Sequence, residues 1–195
     1  MSYEIHAPQL VELGYDPTPC HGKDAFLPGW PERPKAALQF EQHKGCSIGI
    51  VLGGPKNVIA LDIDVPFEPA ASIIKDYIVD NLPAMPERIG KAPKRLYLCR
   101  SENPRKKARS KVFNEIDGNT GEILCDPDGK EIKIDIELLA NGQQFIASGI
   151  HPDTKKKYIW PGDSILDYPA DELPVVSDAE IDALINKVGR TPPDW

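Results

Sequence analysis

The apolar residues of the chain fall into short runs separated by prolines and glycines, which is typical of a protein built from short strands. Two runs, Ser47–Leu52 and Val58–Asp64, are almost continuously apolar and are separated by the turn sequence GGPKN. Unbroken apolar runs of this length predict central strands that are covered on both faces. The proline-rich segment 14–36 is predicted to be mostly loop.

Further strands are predicted where apolar and polar residues alternate. In the segment 132–139 every second residue is isoleucine or leucine, so Asp135 and Glu137 are expected to project from the opposite face. The pair Asn141-Gly142 predicts a hairpin turn that leads into a strand over 143–148. Shorter strands are predicted over 95–99, 112–116, 121–125 and 157–160.

Two segments have the apolar spacing of helices. The first covers 69–81 and is ended by prolines. The second covers about 177–188, where Ser177 and Glu180 have the spacing of a capping box. Together the elements predict one α+β domain over 1–195 with a mixed or antiparallel sheet, a size that suits a single domain.

Composition excludes several classes of protein. The chain has 195 residues, of which 41% are hydrophobic and 27% charged, so it is not of the disordered or collagenous type. It lacks an apolar stretch of about 20 residues, and its first residues lack the pattern of a secretory signal. We therefore expect a cytoplasmic protein with no membrane partner. The net charge of −7 argues against a protein that coats nucleic acid indiscriminately.

The distribution of charge changes that interpretation. The segment 91–111 has nine basic residues and one acidic residue, a sum of +8, which leaves −15 for the rest of the chain. A local positive block next to carboxylates suits an enzyme that acts on a polyanion, although a solvated flexible loop at 105–111 is a competing interpretation. The candidate DNA-contacting residues are Lys91, Lys94, Arg105, Lys106, Lys107, Arg109 and Lys111.

The clearest chemical candidates are carboxylates. Asp62 and Asp64 end an apolar strand and share a face, and paired carboxylates of this kind attract a hard divalent cation such as Mg²⁺ or Mn²⁺. Glu137 on a neighbouring strand would complete a two-metal phosphoryl-transfer site. Asp135 is expected to be a solvated charge on the same strand as Glu137.

Histidine and cysteine residues give weaker indications. Cys20, His21, His43 and Cys46 are four possible zinc ligands, but their spacing disfavours zinc because metal knuckles pair ligands across a short gap at both ends. The segment SGIHP offers a hydroxyl at Ser148 and an imidazole at His151, which suit phosphate or base contacts.

Taken together, these motifs resemble a known family. The segments GYDPTPCHGK, SIGIVLGG, VIALDIDV, IELLANGQQFIASGIHPDTKKKYIW and SDAEIDALI are similar to the bifunctional DNA primase/polymerase (prim-pol) domain of the archaeo-eukaryotic primase superfamily. This form is common in phages, plasmids and mobile elements. The resemblance implies an RNA-recognition-like catalytic core with a smaller N-terminal αβ unit.

The resemblance also implies an activity and its residues. It implies template-directed nucleotidyl transfer in DNA replication, with Asp62, Asp64 and Glu137 as catalytic ligands of two Mg²⁺ or Mn²⁺ ions. In the family's second motif a histidine contacts the incoming nucleotide, and Arg95 occupies that position here. Arg95, Ser148 and His151 are accordingly the expected nucleotide-binding residues.

The implied partners are a single-stranded DNA template or primer, nucleoside triphosphates, and a fused or separate helicase. A phage-encoded protein would act in the cytoplasm of its bacterial host. In an alternative alignment His151 is the motif histidine and Asp163 or Asp167 the third acid. Two other functions stay open: a non-catalytic module of the same fold that binds nucleic acid or nucleotide, and a metal-dependent nuclease.

Overall fold

Two β-sheets that share a hydrophobic core form the structure, a computed structural model that describes residues 2–32, 39–126 and 128–188. The helices are α1 (Tyr3–Glu12), α2 (Glu68–Asn81) and α3 (Asp178–Val188). The strands, in chain order, are β1 (Asp16–His21), β2 (Asp24–Ala25), β3 (Ser47–Val51), β4 (Val58–Asp64), β5 (Glu87–Arg88), β6 (Arg95–Ser101), β7 (Ala108–Arg109), β8 (Phe113–Asn114), β9 (Lys133–Leu139), β10 (Gln144–Ser148) and β11 (Val175–Val176). None of the described helices is long and apolar enough to cross a membrane.

The smaller sheet has the order β10-β3-β1-β2 and is antiparallel throughout. The prediction that 14–36 is mostly loop is wrong for β1, which contains Pro17 and Pro19. Both prolines lie opposite isoleucines of β3, at alternate positions of the strand. Because β2 pairs only with the end of β1, these prolines face an open edge, where a missing N–H costs no ladder hydrogen bond.

The larger sheet has the order β11-β6-β4-β9-β7, with β5 also on the outer edge of β6 and β8 on that of β9. Among the described strand pairs, only β11–β6 is parallel, so the α+β class with a mixed, mainly antiparallel sheet is confirmed. The turn GGPKN carries the chain from β3 in one sheet to β4 in the other.

The central strand β4 is buried on both faces, as its continuous apolar sequence predicts. Ile59, Leu61 and Ile63 pack in one core with α2 and α3. Val58 and Ala60 project from the other face into the core between the two sheets, which also contains residues of α1. Asp62 and Asp64, at the end of β4, lie on the same face of the strand as Val58 and Ala60, at the end of the core between the two sheets.

Some short strands predicted from the sequence are reduced or missing. The segment 112–116 contains only the two-residue β8, and 121–125 and 157–160 take part only in isolated bridges. Turns follow the first two of these segments, and the carboxylates of Asp117 and Asp126 accept hydrogen bonds from backbone N–H groups of those turns. The predicted helices correspond to α2 and α3, whereas α1 was not predicted.

The capping box at the start of α3 provides a test of local stability. The Glu180 N–H donates to Ser177 Oγ at 3.2 Å, and the Ser177 N–H donates to Glu180 Oε2 at 2.8 Å. We expect Ser177→Ala to lower the free energy of unfolding by about 1 kcal/mol, measured by urea denaturation. Ser72→Ala, at an exposed position inside α2, is the control; an equal loss in both variants would contradict a capping role.

Candidate active site

Antiparallel register places the predicted acidic residues on one face of the larger sheet. Asp62 of β4 is directly opposite Glu137 of β9, and Asp64 is opposite Asp135. Residues that face each other across paired strands project to the same side. Asp62 and Asp64 line a cavity of about 210 Å³ at the end of the inter-sheet core. The structure thus brings together the three acids that the sequence singles out.

Two arginines extend this arrangement into a row across the sheet. Arg88 of β5 is opposite Leu96 of β6, and Leu96 is opposite Asp62. On the other side, Glu137 is opposite Arg109 of β7. The row therefore has a pair of facing carboxylates in its middle and a guanidinium at each end.

Burial and crowding alter the protonation of these acids. Burial raises the pKa of Asp62 to about 6, helped by the nearby charges of Asp64 and Glu137 and opposed by Arg88. Burial also raises the pKa of Asp135, and Arg109 opposes that shift. The expectation that Asp135 is solvated is wrong, because its side chain is only 1% exposed and pairs with Arg109.

Basic residues of the segment 91–111 approach the carboxylates directly. Lys94 pairs with Asp64. Lys107 Nζ lies 3.1 Å from Glu137 Oε2, and Arg109 Nε lies 3.1 Å from Glu137 Oε1. Part of the positive block therefore neutralises the acidic face of the sheet.

The carboxylates of this face are the donor set that the ions implied by the family resemblance would need. In the described part of the chain, no three His, Cys, Asp or Glu side chains are arranged as a metal site. At this face of the sheet the carboxylates pair with lysine and arginine side chains instead. The carboxylate oxygens of Asp62 and Glu137, which face each other across the paired strands, nevertheless fit a hard divalent cation in their chemistry. A bound cation would have to displace Lys94, Lys107 and Arg109.

The remaining candidates for DNA contact divide into paired and unpaired residues. Arg105 pairs with Asp178 at 3.3 Å and with Asp182, both in α3. Lys91 Nζ lies 3.5 Å from Asp153 Oδ2. The interpretation of 105–111 as a free loop is wrong for Arg105 and for β7, which pairs with β9. Lys106 and Lys111 are exposed and form no ion pair with another described residue.

His151 lines the same cavity, and its hydrogen bonds define its tautomer. Its Nδ1 accepts hydrogen bonds from the N–H groups of Asp153 at 3.2 Å and Thr154 at 3.4 Å. Nε2 therefore carries the proton of the neutral ring. Burial lowers the pKa of His151, and the nearby charge of Lys23 adds to the effect. At neutral pH the ring is an uncharged donor.

Of the other two expected nucleotide-binding residues, one has hydrogen-bond partners of its own and one lines a different groove. Arg95 borders the cavity, but its Nη1 donates to Glu87 Oε1 at 2.9 Å and its Nε to the Pro93 carbonyl at 3.1 Å. Arg95 and Tyr97 are two residues apart on β6 and therefore lie on the same face of the strand. Tyr97 packs in the core next to the helices. Ser148 lines a different groove.

The candidate zinc ligands and the alternative third acids do not line the cavity. Cys20 and Cys46 line the second groove with Ser148, and His21 stacks on Phe26 at 4.2 Å. His43 meets the same phenyl ring edge-on. In the alternative alignment the third acid is Asp163 or Asp167. Both are exposed, and the Asp167 carboxylate accepts hydrogen bonds from Ser164 within its own turn.

Several cavity residues were not predicted from the sequence, among them Lys23, Arg88, Phe145 and Tyr158. Arg88 is contributed by a two-residue strand, too short to produce any periodicity. Lys23 lies in the β1–β2 turn, inside the segment predicted to be loop. The Gln144 side chain positions that turn, donating to the Lys23 carbonyl at 2.8 Å. A sequence signal was available only for Tyr158, which lies with Trp160 in the predicted strand 157–160 and was not assigned a role.

The raised pKa of Asp62 predicts a gain in stability when its charge is removed. When an acid has a higher pKa in the folded than in the unfolded state, the protein loses stability as the pH rises from the unfolded-state pKa to the folded-state pKa. For Asp62 this range runs from 3.8 to about 6. Asp62→Asn should therefore raise the free energy of unfolding by about 1–3 kcal/mol at pH 8 and by almost nothing at pH 4.

Urea denaturation of the metal-free protein in chelator, across pH 4–8, measures this difference. Asp76→Asn, on the exposed face of α2, is the matched control. A gain for Asp62→Asn that does not change with pH would contradict the shifted pKa.

Comparison with known proteins agrees with the extent of the described fold. A family model described as "bifunctional DNA primase/polymerase, N-terminal" matches residues 7–176. The match runs from within α1 to the end of β11, so it includes both sheets and every residue that lines the cavity. No curated protein matches the chain.

Proposed function

The chain belongs to the bifunctional DNA primase/polymerase family, and from this membership we propose that it transfers nucleotides from nucleoside triphosphates to a 3′-hydroxyl under the direction of a DNA template. The family implies an enzyme of the nucleotidyltransferase type. The observation that supports the finer proposal is the register of β4 and β9, which puts Asp62 and Glu137 face to face beside a cavity.

We propose that Asp62, Asp64 and Glu137 hold two Mg²⁺ or Mn²⁺ ions during the reaction. Ions bound there would lower the pKa of the attacking hydroxyl and stabilise the charge of the leaving pyrophosphate. The carboxylates themselves are kept close by strand pairing, so a cation relieves the repulsion that the fold imposes on them. Zinc does not suit this oxygen-only donor set.

The other residues of the cavity have complementary roles in this proposal. Nε2–H of His151 donates a hydrogen bond to a phosphate or sugar oxygen, because Nδ1 is already occupied. Lys23 and Lys91 add positive charge on the same side. Arg95 acts indirectly, since its guanidinium holds Glu87 next to β6. Ser148 contributes to the second groove instead.

Primer extension tests the assignment of the acids. With primed single-stranded DNA, deoxynucleotides and Mn²⁺, the wild type should extend the primer. Asp62→Asn and Glu137→Gln should each lower the rate by roughly 100-fold or more, because each removes a charged ligand of the ions. Asp163→Asn is the matched control and also tests the alternative third acid.

Three results would contradict the proposal. Extension that survives both substitutions would contradict the metal assignment. A loss of extension in Asp62→Asn and Asp163→Asn, but not in Glu137→Gln, would favour the alternative alignment. Degradation of labelled DNA without added nucleotide would instead identify a nuclease.

We also propose that template DNA contacts the outer part of the basic segment. Lys106 and Lys111 are exposed and form no ion pair in the described chain, whereas Arg105 forms ion pairs with two aspartates of α3. Replacing both lysines by glutamine should weaken binding of single-stranded DNA and reduce the slope of log K against log salt by about 0.7 per lost contact.

The control is Lys75→Gln, an exposed lysine of α2 on the opposite face of the larger sheet. Fluorescence anisotropy with labelled oligonucleotide at several salt concentrations gives both quantities. An unchanged salt slope in the double variant would exclude this surface as the contact.

A further inference from the structure

Arg88 is held between two aromatic rings by contacts from three segments of the chain. Its Cζ lies 4.7 Å from the ring centroid of Tyr158 and 5.9 Å from that of Phe145. Next to it, Ile89 exchanges two backbone hydrogen bonds with Ile159, at 2.8 and 2.9 Å, which brings Tyr158 alongside Arg88. Aromatic faces attract a guanidinium and restrict its orientation.

This enclosure needs the close approach of Gly90. A Cβ atom at Gly90 would lie 2.4 Å from the Tyr158 ring and 2.8 Å from the ring of His151. The chain after Arg88 therefore lets both rings pack against its backbone. The Tyr158 ring can therefore lie close to the guanidinium of Arg88.

The positive charge of Arg88 has no direct counterpart in the described structure. Its Nε is buried without a hydrogen-bond partner, and no described carboxylate lies within 4 Å of its nitrogens. By contrast, Arg95, Arg105 and Arg109 all pair with carboxylates. A partly buried cation without a partner is costly, which indicates a site that is completed by a ligand.

The surroundings of Arg88 define the chemistry of that ligand. Lys23 and the Nε2–H of His151 border the same cavity as Arg88 and add positive charge and a donor, and Lys91, which lies 3.5 Å from Asp153, also borders it. Asp62 and Asp64 line the same cavity. The cavity of about 210 Å³ is smaller than the ~300 Å³ at the lower end of small-molecule sites. It suits the phosphate chain of a nucleotide, with the rest of the molecule outside.

We propose that Arg88 binds the phosphate chain of the nucleoside triphosphate, with its guanidinium preset by Tyr158 and Phe145. This inference rests on the proposed function. It gives Arg88 the nucleotide-binding role that the sequence predicted for Arg95. The alternative is that Arg88 only compensates the charge of Asp62, two strands away in the same row.

Equilibrium binding of dATP, dAMP and deoxyadenosine in the presence of Mg²⁺ separates these roles. Arg88→Met keeps the length of the side chain and removes its charge. It should weaken dATP binding roughly 10- to 100-fold, the range of a hydrogen bond between charged groups. Binding of deoxyadenosine should stay within about 3-fold, because the nucleoside has no phosphate for Arg88 to contact.

Two further variants keep the test interpretable. Arg88→Lys keeps the charge but loses the planar fork, and should bind dATP with intermediate affinity. Arg100→Met is the matched control: Arg100 also lies in the larger sheet and is partly buried, but it hydrogen-bonds the carbonyls of Lys56 and Asp171, away from the cavity. Thermal denaturation of each variant reports whether the fold is intact, and Arg88→Lys supplies the result if Arg88→Met does not fold.

The outcomes are distinct. If the wild type prefers dATP to deoxyadenosine and Arg88→Met or Arg88→Lys keeps that full preference, the inference is overturned and the proposed function stands. An equal loss for all three ligands, or the same loss in Arg100→Met, also overturns it. If the wild type binds no triphosphate, the proposed function fails and the inference fails with it.

Discussion

The antiparallel register between β4 and β9 is the constraint on which the rest of the site depends. It places Asp62 opposite Glu137 and Asp64 opposite Asp135, so four carboxyl groups share one face of a sheet. Like charges directly opposite each other on paired strands are destabilising. The repulsion is tolerated because the other face of β4 packs against α2 and α3, and its inward residues are fully buried.

The charges around this face follow from that repulsion. Lys94, Lys107 and Arg109 pair with the acids, whereas Arg88 acts on Asp62 from a distance without an ion pair among the described residues. Together they offset the negative charge, yet the pKa of Asp62 still rises to about 6. An acid that remains poorly compensated inside a folded protein is typical of a functional site, where stability is exchanged for chemistry.

The sequence allowed the local part of this arrangement to be predicted, because the two-residue period of a strand places Asp62 with Asp64 and Asp135 with Glu137. The pairing of β4 with β9, about 70 residues apart, follows from tertiary packing. The sequence pattern gave Glu137 only as a candidate on a neighbouring strand, and the family resemblance implied its role beside Asp62 and Asp64. Arg88 could not be found, since its position depends on a two-residue strand and on rings from two distant segments. Strand β1 was missed because proline was taken as a sign of loop, although an open strand edge accepts it.

The ion pairs of the basic segment 91–111 limit how much of its positive charge is free to bind nucleic acid. Its sum of +8 suggests a strong attraction for nucleic acid, but Lys94, Lys107 and Arg109 are bound to the acidic face and Arg105 to α3. A cation that already has a carboxylate partner gains less from a phosphate, because it must give up the first partner to bind the second. The charge available to DNA is therefore smaller than the sum. If a cation occupied the carboxylates, the residues it displaced would add to that charge, so metal and DNA would favour each other's binding.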